Sequence, residues 1–305
     1  KFDDHHKKIA RAYNNFSKIA SKNPLGWSDK EYSIIDILYR NKKNPPQAFP
    51  YNKFHCTSWN VNQAAAIIIC SEKIANSLNI PEYKRVYPIA SSENNHMIAT
   101  LQRPNLSYSA GMNLAAEFIL EVCKKNNLIP SLYDLYSCFP VAVQMFAKSL
   151  KLKNLENTSI TGGMSFAGGP LNSYVLNATA QMIKRIRKNK NAGVVTGVSG
   201  MMTKQSYALW SKNPLDRFSF KDVTEDAKKI DCPIEISSSN KGIGEIIGYT
   251  VLYLKQVRNK GVIYIEDKDK KRKIITTSDK LVMKSMEKEE WVGRKVQYIG
   301  NSLTI

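Results

Sequence analysis

Apolar residues recur at helical spacing in several stretches of the chain, and runs of β-branched and aromatic residues lie between them. The spacing predicts helices over residues 2–21, 107–127 and 141–150 and after Pro170. Strands are predicted over residues 85–91, 133–136, 194–198 and 201–209. Strands that alternate with helices are typical of an α/β fold.

Residues 158–211 combine helix-like and strand-like spacing of apolar residues around two glycine-containing turns. They predict strand, turn, helix, strand, tight turn and strand, with both turns at one end of a sheet. The turns contain Gly162, Gly163, Gly168 and Gly169, and then Ser199 and Gly200. Glycines before a helix N-terminus let backbone N–H groups approach an anionic oxygen. The other interpretation is a tight turn that binds no ligand. The spacing of the glycines matches no dinucleotide-binding or P-loop signature, and it leaves both interpretations open.

Residues 64–70, AAAIIIC, form the most apolar run of the first hundred residues. Small and then β-branched residues predict a deeply buried segment, with Cys70 as a core thiol that behaves as a small hydrophobe. Ser71 and Glu72 predict the start of a helix that runs to Leu78.

After Trp210 the pattern changes to short strands joined by charged turns. Residues 244–254, 261–266, 272–277 and 291–299 predict strands, with a brief helix over 279–288. The segment predicts a small OB-like β-barrel, in which tyrosines at alternate positions either face a nucleic acid or pack. The predicted limits are 1–53 for the end of a loop region, 54–212 for the main α/β domain, 213–240 for a linker and 241–305 for the β domain.

Composition narrows the functional classes. The chain has 305 residues, and 45 Lys and Arg against 26 Asp and Glu give a net charge of +19. The cations are spread along the sequence, so nucleic acid is not an expected partner. Five cysteines without a CxxC pair predict a reducing, cytoplasmic location and no metal site. No membrane segment or signal peptide is predicted, and a start at Lys1 directly before a helix predicts the C-terminal part of a longer protein.

Two side chains are the first candidates for chemistry. Cys138 follows the strand at 133–136, where ligands of open α/β sheets bind, and the next helix N-terminus is expected to activate its thiol. A packed structural thiol is the alternative. His96 lies in a predicted polar loop, where it is either a binding residue or an ordinary surface histidine.

The segments DLYSCFPVAV, TGGMSFAGGP and TGVSGMMTK, which begin at Asp134, Thr161 and Thr196, resemble the C-terminal domain of the thiolase superfamily in its thiolase-like protein type 1 branch. VNQAAAIIICSEKIA resembles the segment that enters this domain. The stretch from EIIGYTVLYL to EWVGRKVQY resembles the additional C-terminal domain of the same branch. The resemblance covers nearly the whole chain in order.

This resemblance implies the C-terminal half of a layered α/β/α fold, followed by the barrel. The absent N-terminal half would carry the nucleophilic cysteine. Gly169 stands where the G-H-P turn of active thiolases has histidine, and Gly197 stands where their C-x-G turn has cysteine. No histidine follows His96. Tyr136 to Phe139 match the H-D-C-F turn only at Cys138 and Phe139.

The implied function is that of an acyl-CoA-dependent acyltransferase, labelled acetyl-CoA acetyltransferase, with altered or reduced activity. The alternative is a non-catalytic CoA-binding, acyl-binding or scaffolding relative, and nucleic-acid binding by the barrel is a weaker third. A coenzyme A thioester is the expected substrate, with no bound cofactor, and a partner acyltransferase subunit is a further expectation. Cys138 and His96 are the expected catalytic residues. The expected substrate-binding residues are Tyr136, Gly162, Gly163, Gly168, Gly169, Ser199 and Gly200.

Overall fold

The computed structural model describes residues 2–189 and 192–304, so residues 1, 190, 191 and 305 lie outside it. Its helices are α1 Phe2–Ser21, α2 Ile34–Leu38, α3 Glu72–Ser77, α4 Ala110–Lys125, α5 Pro140–Ser149, α6 Gly163–Phe166, α7 Tyr174–Asn189, α8 Thr224–Ile230 and α9 Lys280–Lys288. Its strands are β1 Pro46–Ala48, β2 Tyr51–Asn52, β3 Tyr87–Asn94, β4 Pro130–Asp134, β5 Ala192–Ser199, β6 Met201–Ser211, β7 Ser219–Asp222, β8 Lys241–Leu254, β9 Val257–Asp267, β10 Arg272–Thr277, β11 Lys295–Ile299 and β12 Ser302–Thr304. Within this described part, no helix is long and apolar enough to span a membrane.

The chain forms two compact units that interleave in sequence. The first combines the residues up to Leu38 with Phe54–Met97 and Ala110–Ala227. The second combines Tyr39–Lys53 with Ile98–Ser109 and the residues from Lys228 onward. The predicted domain limits at residues 53, 212 and 240 stay a prediction.

The first unit is built on a five-stranded sheet with the order β4-β5-β6-β3-β7. β4 is parallel to β5 and β3 is parallel to β7, whereas β6 is antiparallel to both of its neighbours. Val194 packs with the core that contains Met112 of α4, and the adjacent Val195 packs with Met182 of α7. Since neighbouring strand residues point to opposite faces, helices cover both faces of the sheet. This mixed α/β, layered architecture confirms the predicted fold class.

The run at residues 64–70 is the main correction to the prediction. It joins no strand, and Ile68 and Ile69 are 93% and 78% exposed. Cys70 is also exposed, so it is not a core thiol. The prediction was wrong because composition alone does not place a segment in a sheet: residues 64–70 pair with no strand, which leaves Ile68 and Ile69 in contact with solvent. The helix that was predicted after it does form, with Ser71 as its N-cap.

The second unit contains a closed five-stranded barrel. β8, β9, β10, β12 and β11 pair in that order, and β11 pairs back to β8. β10 and β12 are parallel, and α9 connects β10 to β11. Its interior includes Ile246, Ile263 and Met286, all fully buried. The closed barrel confirms the predicted C-terminal β domain, which resembles an OB-fold in its five strands.

Two charged side chains, those of Arg272 and Glu287, tie the outlying segments into the second unit. Arg272 is 5% exposed and donates hydrogen bonds to the backbone carbonyls of Leu101 and Pro104 at 3.3 and 3.1 Å. Glu287 accepts two 2.8 Å hydrogen bonds from Arg258 and lies 3.4 Å from Arg40. These contacts explain why residues 39–53 and 98–109 group with the barrel.

Candidate functional site

A cavity of about 570 Å³ opens in the first unit where β3, β4 and β5 end. The carboxyl ends of parallel strands are where open α/β sheets bind ligands. The residues that line the cavity are Thr57, Trp59, Glu93, Asn95, Tyr136, Cys138, Phe139, Met164, Gly169, Pro170, Leu171, Asn172, Tyr174, Val175, Gly197, Val198, Ser199, Gly200, Lys204, Gln205 and Ser206. Of the predicted site residues, the structure thus brings together Tyr136, Cys138, Gly169, Ser199 and Gly200.

Cys138 lies in the turn between β4 and α5, as the sequence indicated. Burial raises the pKa of its thiol to about 11, although hydrogen bonds from the backbone of Phe139 and of Cys138 itself act in the opposite direction. Because the thiolate is the nucleophilic form, the thiol is poorly reactive near neutral pH. The helix N-terminus therefore does not outweigh the cost of burying the charge.

Asp134 at the end of β4 organises the turn below the cavity, and the sequence analysis missed it. It is fully buried, and its Oδ2 accepts hydrogen bonds from the backbone N–H groups of Ile160 and Thr161 and from the Thr161 hydroxyl, at 2.9–3.0 Å. The Tyr174 hydroxyl donates to Oδ1 at 2.7 Å. Burial raises the pKa of this carboxyl, and the hydrogen bonds from Tyr174 and Thr161 oppose that change. The carboxylate holds the glycine-containing turn against α7.

Gly162 and Gly163 serve this turn and do not line the cavity. Gly162 has a φ of 104°, which is open to glycine and strained for other residues. The backbone N–H groups of Gly162 and Gly163 donate to the Ser159 hydroxyl at 3.0 and 2.9 Å. Their donors are therefore used inside the protein, away from the space that a ligand would occupy.

Gly169 does line the cavity, whereas Gly168 lies outside it. The backbone N–H of Gly169 donates to the carbonyl of Ser58 at 2.9 Å. A Cβ added at Gly169 would lie 2.7 Å from Cε of Met164 and 2.8 Å from Cγ2 of Thr57, closer than side chains tolerate. A side chain at position 169 would therefore require Met164 and Thr57 to shift.

Gly197 lies on β5, directly across from Ser206 on β6. A Cβ added at Gly197 would be 2.9 Å from the Ser206 hydroxyl oxygen and 3.3 Å from Val175. The next two predicted residues, Ser199 and Gly200, form the hairpin turn into β6, where the space around Gly200 is open. The Ser206 hydroxyl is therefore the polar group next to position 197.

His96 is placed just beyond β3 and is not among the lining residues. Its backbone N–H donates to the side chain of Asn94 at 3.2 Å. Two residues near it, Glu93 and Asn95, do reach the cavity. The sequence predicts this strand only to residue 91, whereas β3 runs to Asn94, so the alternation that turns Glu93 toward the cavity lies beyond the predicted strand.

The part of the cavity formed by β3 and β6, the polar wall, carries polar side chains that were not among the predicted site residues. They are Glu93 on β3 and Lys204 and Ser206 on β6. The signal was present, because Lys204 and Ser206 alternate with the buried Tyr207 and Leu209 along one strand. Across the described ranges 2–189 and 192–304, no group of three His, Cys, Asp or Glu side chains is arranged to hold a metal ion.

The chain was compared with known proteins by sequence and by structure. No family model matches it, and no curated protein matches it. Its structure is similar to that of a monomeric SCP2-thiolase-like protein type 1 from Mycobacterium smegmatis. The TM-score is 0.87 at 24% identity, over the whole of this chain and 69% of that one.

Two further structural neighbours are more distant. The Ltp2-ChsH2(DUF35) aldolase is similar over 69% of this chain and 59% of its own, with 12% identity and a TM-score of 0.51. A thiolase from Ascaris suum in complex with coenzyme A gives 16% identity and a TM-score of 0.35, over 47% of this chain and 34% of its own. A score of 0.35 is too low to bear on fold or ligand. The likeness to the mycobacterial protein shows that this chain has a thiolase-like fold.

Proposed function

We propose that this thiolase-fold chain binds an acyl thioester, such as an acyl-CoA, in the cavity of its first unit, and that thiolase-type acyl transfer there is weak or absent. The observation that supports the proposal is the cavity itself. It lies at the carboxyl ends of three strands and combines the exposed apolar side chains of Trp59, Phe139 and Leu171 with the polar side chains of Glu93, Lys204 and Ser206. Apolar lining with a few polar groups is typical of a small-molecule site.

The weak transfer follows from three residues. The pKa of about 11 keeps Cys138 protonated, Gly169 cannot accept a proton, and Gly197 has no side chain to replace either. Loss of a general base commonly lowers a rate by about two to four orders of magnitude. Acyl transfer through Cys138 is the second candidate function, which its position in the cavity wall favours. Under this second candidate function, a partner subunit would supply further acyltransferase residues.

The proposal is tested by thermal unfolding with and without acetyl-CoA. A ligand that binds only the folded state raises the melting temperature, and about a hundredfold excess over Kd stabilises the protein by about 2.7 kcal/mol. Ser206→Trp, which fills the cavity from its polar wall, should abolish the rise. Ser302→Trp, at an exposed position of the barrel, is the matched control and should retain it.

Two outcomes would contradict the proposal. One is a melting temperature that acetyl-CoA leaves unchanged in the unaltered protein. The other is a rise of equal size in the Ser206→Trp variant, because binding would then occur elsewhere. Thiolysis of acetoacetyl-CoA, measured in the same preparation, decides the second candidate: a rate above the no-enzyme control would establish acyl transfer.

A further inference from the structure

Glu93 and Ser206 stand side by side on neighbouring strands within the cavity. The register of β3 and β6 pairs Glu93 with Ser206, and that of β5 and β6 pairs Ser206 with Gly197. Directly opposed residues of antiparallel strands have Cβ atoms about 5 Å apart and point to the same face. The three positions therefore form one row across the sheet, with Glu93 two strands from position 197.

The other face of these strands is packed, which fixes the direction of the row. The Ser92 hydroxyl donates to the carbonyl of Ala115 at 2.7 Å, and the Tyr207 hydroxyl donates to that of Met112 at 3.0 Å. Both carbonyls belong to α4. Because side chains alternate along a strand, Glu93 and Ser206 point away from α4 and into the cavity.

The charged groups of this wall have few partners in the protein. The Glu93 carboxylate accepts one hydrogen bond, from the Asn95 side-chain amide at 3.0 Å, and within residues 2–189 and 192–304 it forms no ion pair. The ammonium group of Lys204, a half-buried residue two positions before Ser206 on the same face, has no ion pair or hydrogen bond within those ranges. By contrast, Glu287 of the barrel is held by Arg258 and Arg40. A carboxylate, a hydroxyl and an ammonium group are thus available to a ligand.

We infer that this row is a proton-transfer site for carbon acids, in which Glu93 removes a proton from the carbon next to the thioester carbonyl. The C–H bond breaks, the Glu93 carboxylate takes the proton, and the electron pair moves onto the carbonyl oxygen to give an enolate. The Ser206 hydroxyl and the Lys204 ammonium stabilise that negative oxygen. Return of a proton from Glu93 restores the thioester, so the step is balanced without an oxidant or a second substrate. The inference rests on the proposed binding of a CoA thioester in this cavity.

The other titratable candidates are less suited to this step. His96 does not line the cavity. The Cys138 thiol, with its pKa raised to about 11, is protonated near neutral pH and accepts no further proton. Tyr136 is also protonated there, because burial raises its pKa. Glu93 is the one carboxylate among the lining residues.

The test is deuterium exchange into the methyl group of acetyl-CoA in D₂O, followed by NMR. The unaltered protein should accelerate exchange over buffer. Glu93→Gln, which keeps the shape of the side chain, should slow the catalysed rate at least about a hundredfold. Ser206→Ala should slow it about tenfold or more through loss of a donor. Glu245→Gln, on the exposed side of the barrel, is the matched control and should exchange at the unaltered rate.

The melting-temperature rise with acetyl-CoA, measured on the same samples, separates this inference from the proposed function. Suppose that acetyl-CoA raises the melting temperature of every sample. If the unaltered protein then shows no deuterium exchange, or if Glu93→Gln exchanges at the same rate, the proton-transfer site is overturned and the proposed binding stands. Neither rise nor exchange in the unaltered protein overturns both. Exchange that depends on Glu93, with the rise retained in Glu93→Gln, supports the inference and excludes a merely structural role.

Discussion

Cys138 shows how burial decides the chemistry of a single residue. Its place after β4 and before α5 predicts an activated thiol, but desolvation of the charged form raises its pKa to about 11. The charge at this position is therefore set by the surrounding packing, which the local sequence does not reveal.

We predict that Cys138 reacts slowly with iodoacetamide near neutral pH and that its rate rises about tenfold per pH unit up to about pH 10, because the thiolate fraction is still growing there. Peptide mass spectrometry after timed alkylation measures the rate, and the exposed Cys70 reports on the reagent in the same tube. A rate for Cys138 that is already constant above pH 8 would show an activated thiol instead.

His55 provides a second consequence of burial at the residue scale. It is 3% exposed, its ring lies 5.6 Å from that of Tyr13, and burial lowers its pKa from 6.5 to about 4, with a smaller effect from His6. In the window between about pH 4 and pH 6.5, His55 binds a proton in the unfolded chain but not in the folded chain. Stability therefore rises with pH across the window and is lost as pH falls through it.

We predict that His55 costs the protein about 3 kcal/mol of unfolding free energy between pH 7 and pH 4. Urea unfolding at several pH values, compared between the unaltered protein and His55→Phe, measures this cost. The variant should show a smaller pH dependence across that window. Parallel pH profiles for the two proteins would mean that His55 titrates normally.

At the scale of elements, buried arginine holds the barrel to a distant segment. Arg272 at the start of β10 donates to carbonyls of residues 98–109, which form no strand or helix longer than one turn. A planar guanidinium can serve several carbonyls at once, whereas an ammonium group cannot reach them in the same geometry.

We predict that Arg272→Lys destabilises the protein by about 2 kcal/mol, since buried carbonyls lose their donors. It should also expose residues 98–109 to limited proteolysis. Arg294→Lys, at a half-exposed arginine paired with Glu289, is the matched control and should change stability by less than about 0.5 kcal/mol. Equal effects of the two substitutions would refute the special role of Arg272.

The elements differ in how far their sequence predicts them. The spacing of apolar residues and the positions of turns predict α1, α4, α5 and the barrel strands, because each of these elements buries one face against its own unit. Residues 64–70 have the composition of a core strand, and yet they pair with no strand and Ile68 and Ile69 lie exposed. The roles of Asp134, Glu93 and Ser206 are not visible in the sequence, because their partners are distant along it: Tyr174 lies 40 positions from Asp134, and Glu93 lies 113 positions from Ser206.

For the whole molecule, a thiolase-like fold is combined with a cavity that has glycines at positions 169 and 197. Gly169 is enclosed by Met164 and Thr57, and the N–H groups of Gly162 and Gly163 are used internally. The resemblance predicts that Gly169 and Gly197 replace two catalytic side chains; the structure adds that a side chain at position 169 would require Met164 and Thr57 to shift. The likeness of fold therefore leaves the activity to be decided by the cavity.

The central claim, that the cavity binds an acyl thioester without forming an acyl-enzyme, is tested most directly by calorimetric titration with acetyl-CoA followed by mass spectrometry of the protein. The account predicts saturable binding that Ser206→Trp abolishes, with no acetyl adduct on Cys138. Absence of binding, or a stoichiometric acetyl group on Cys138, would contradict it.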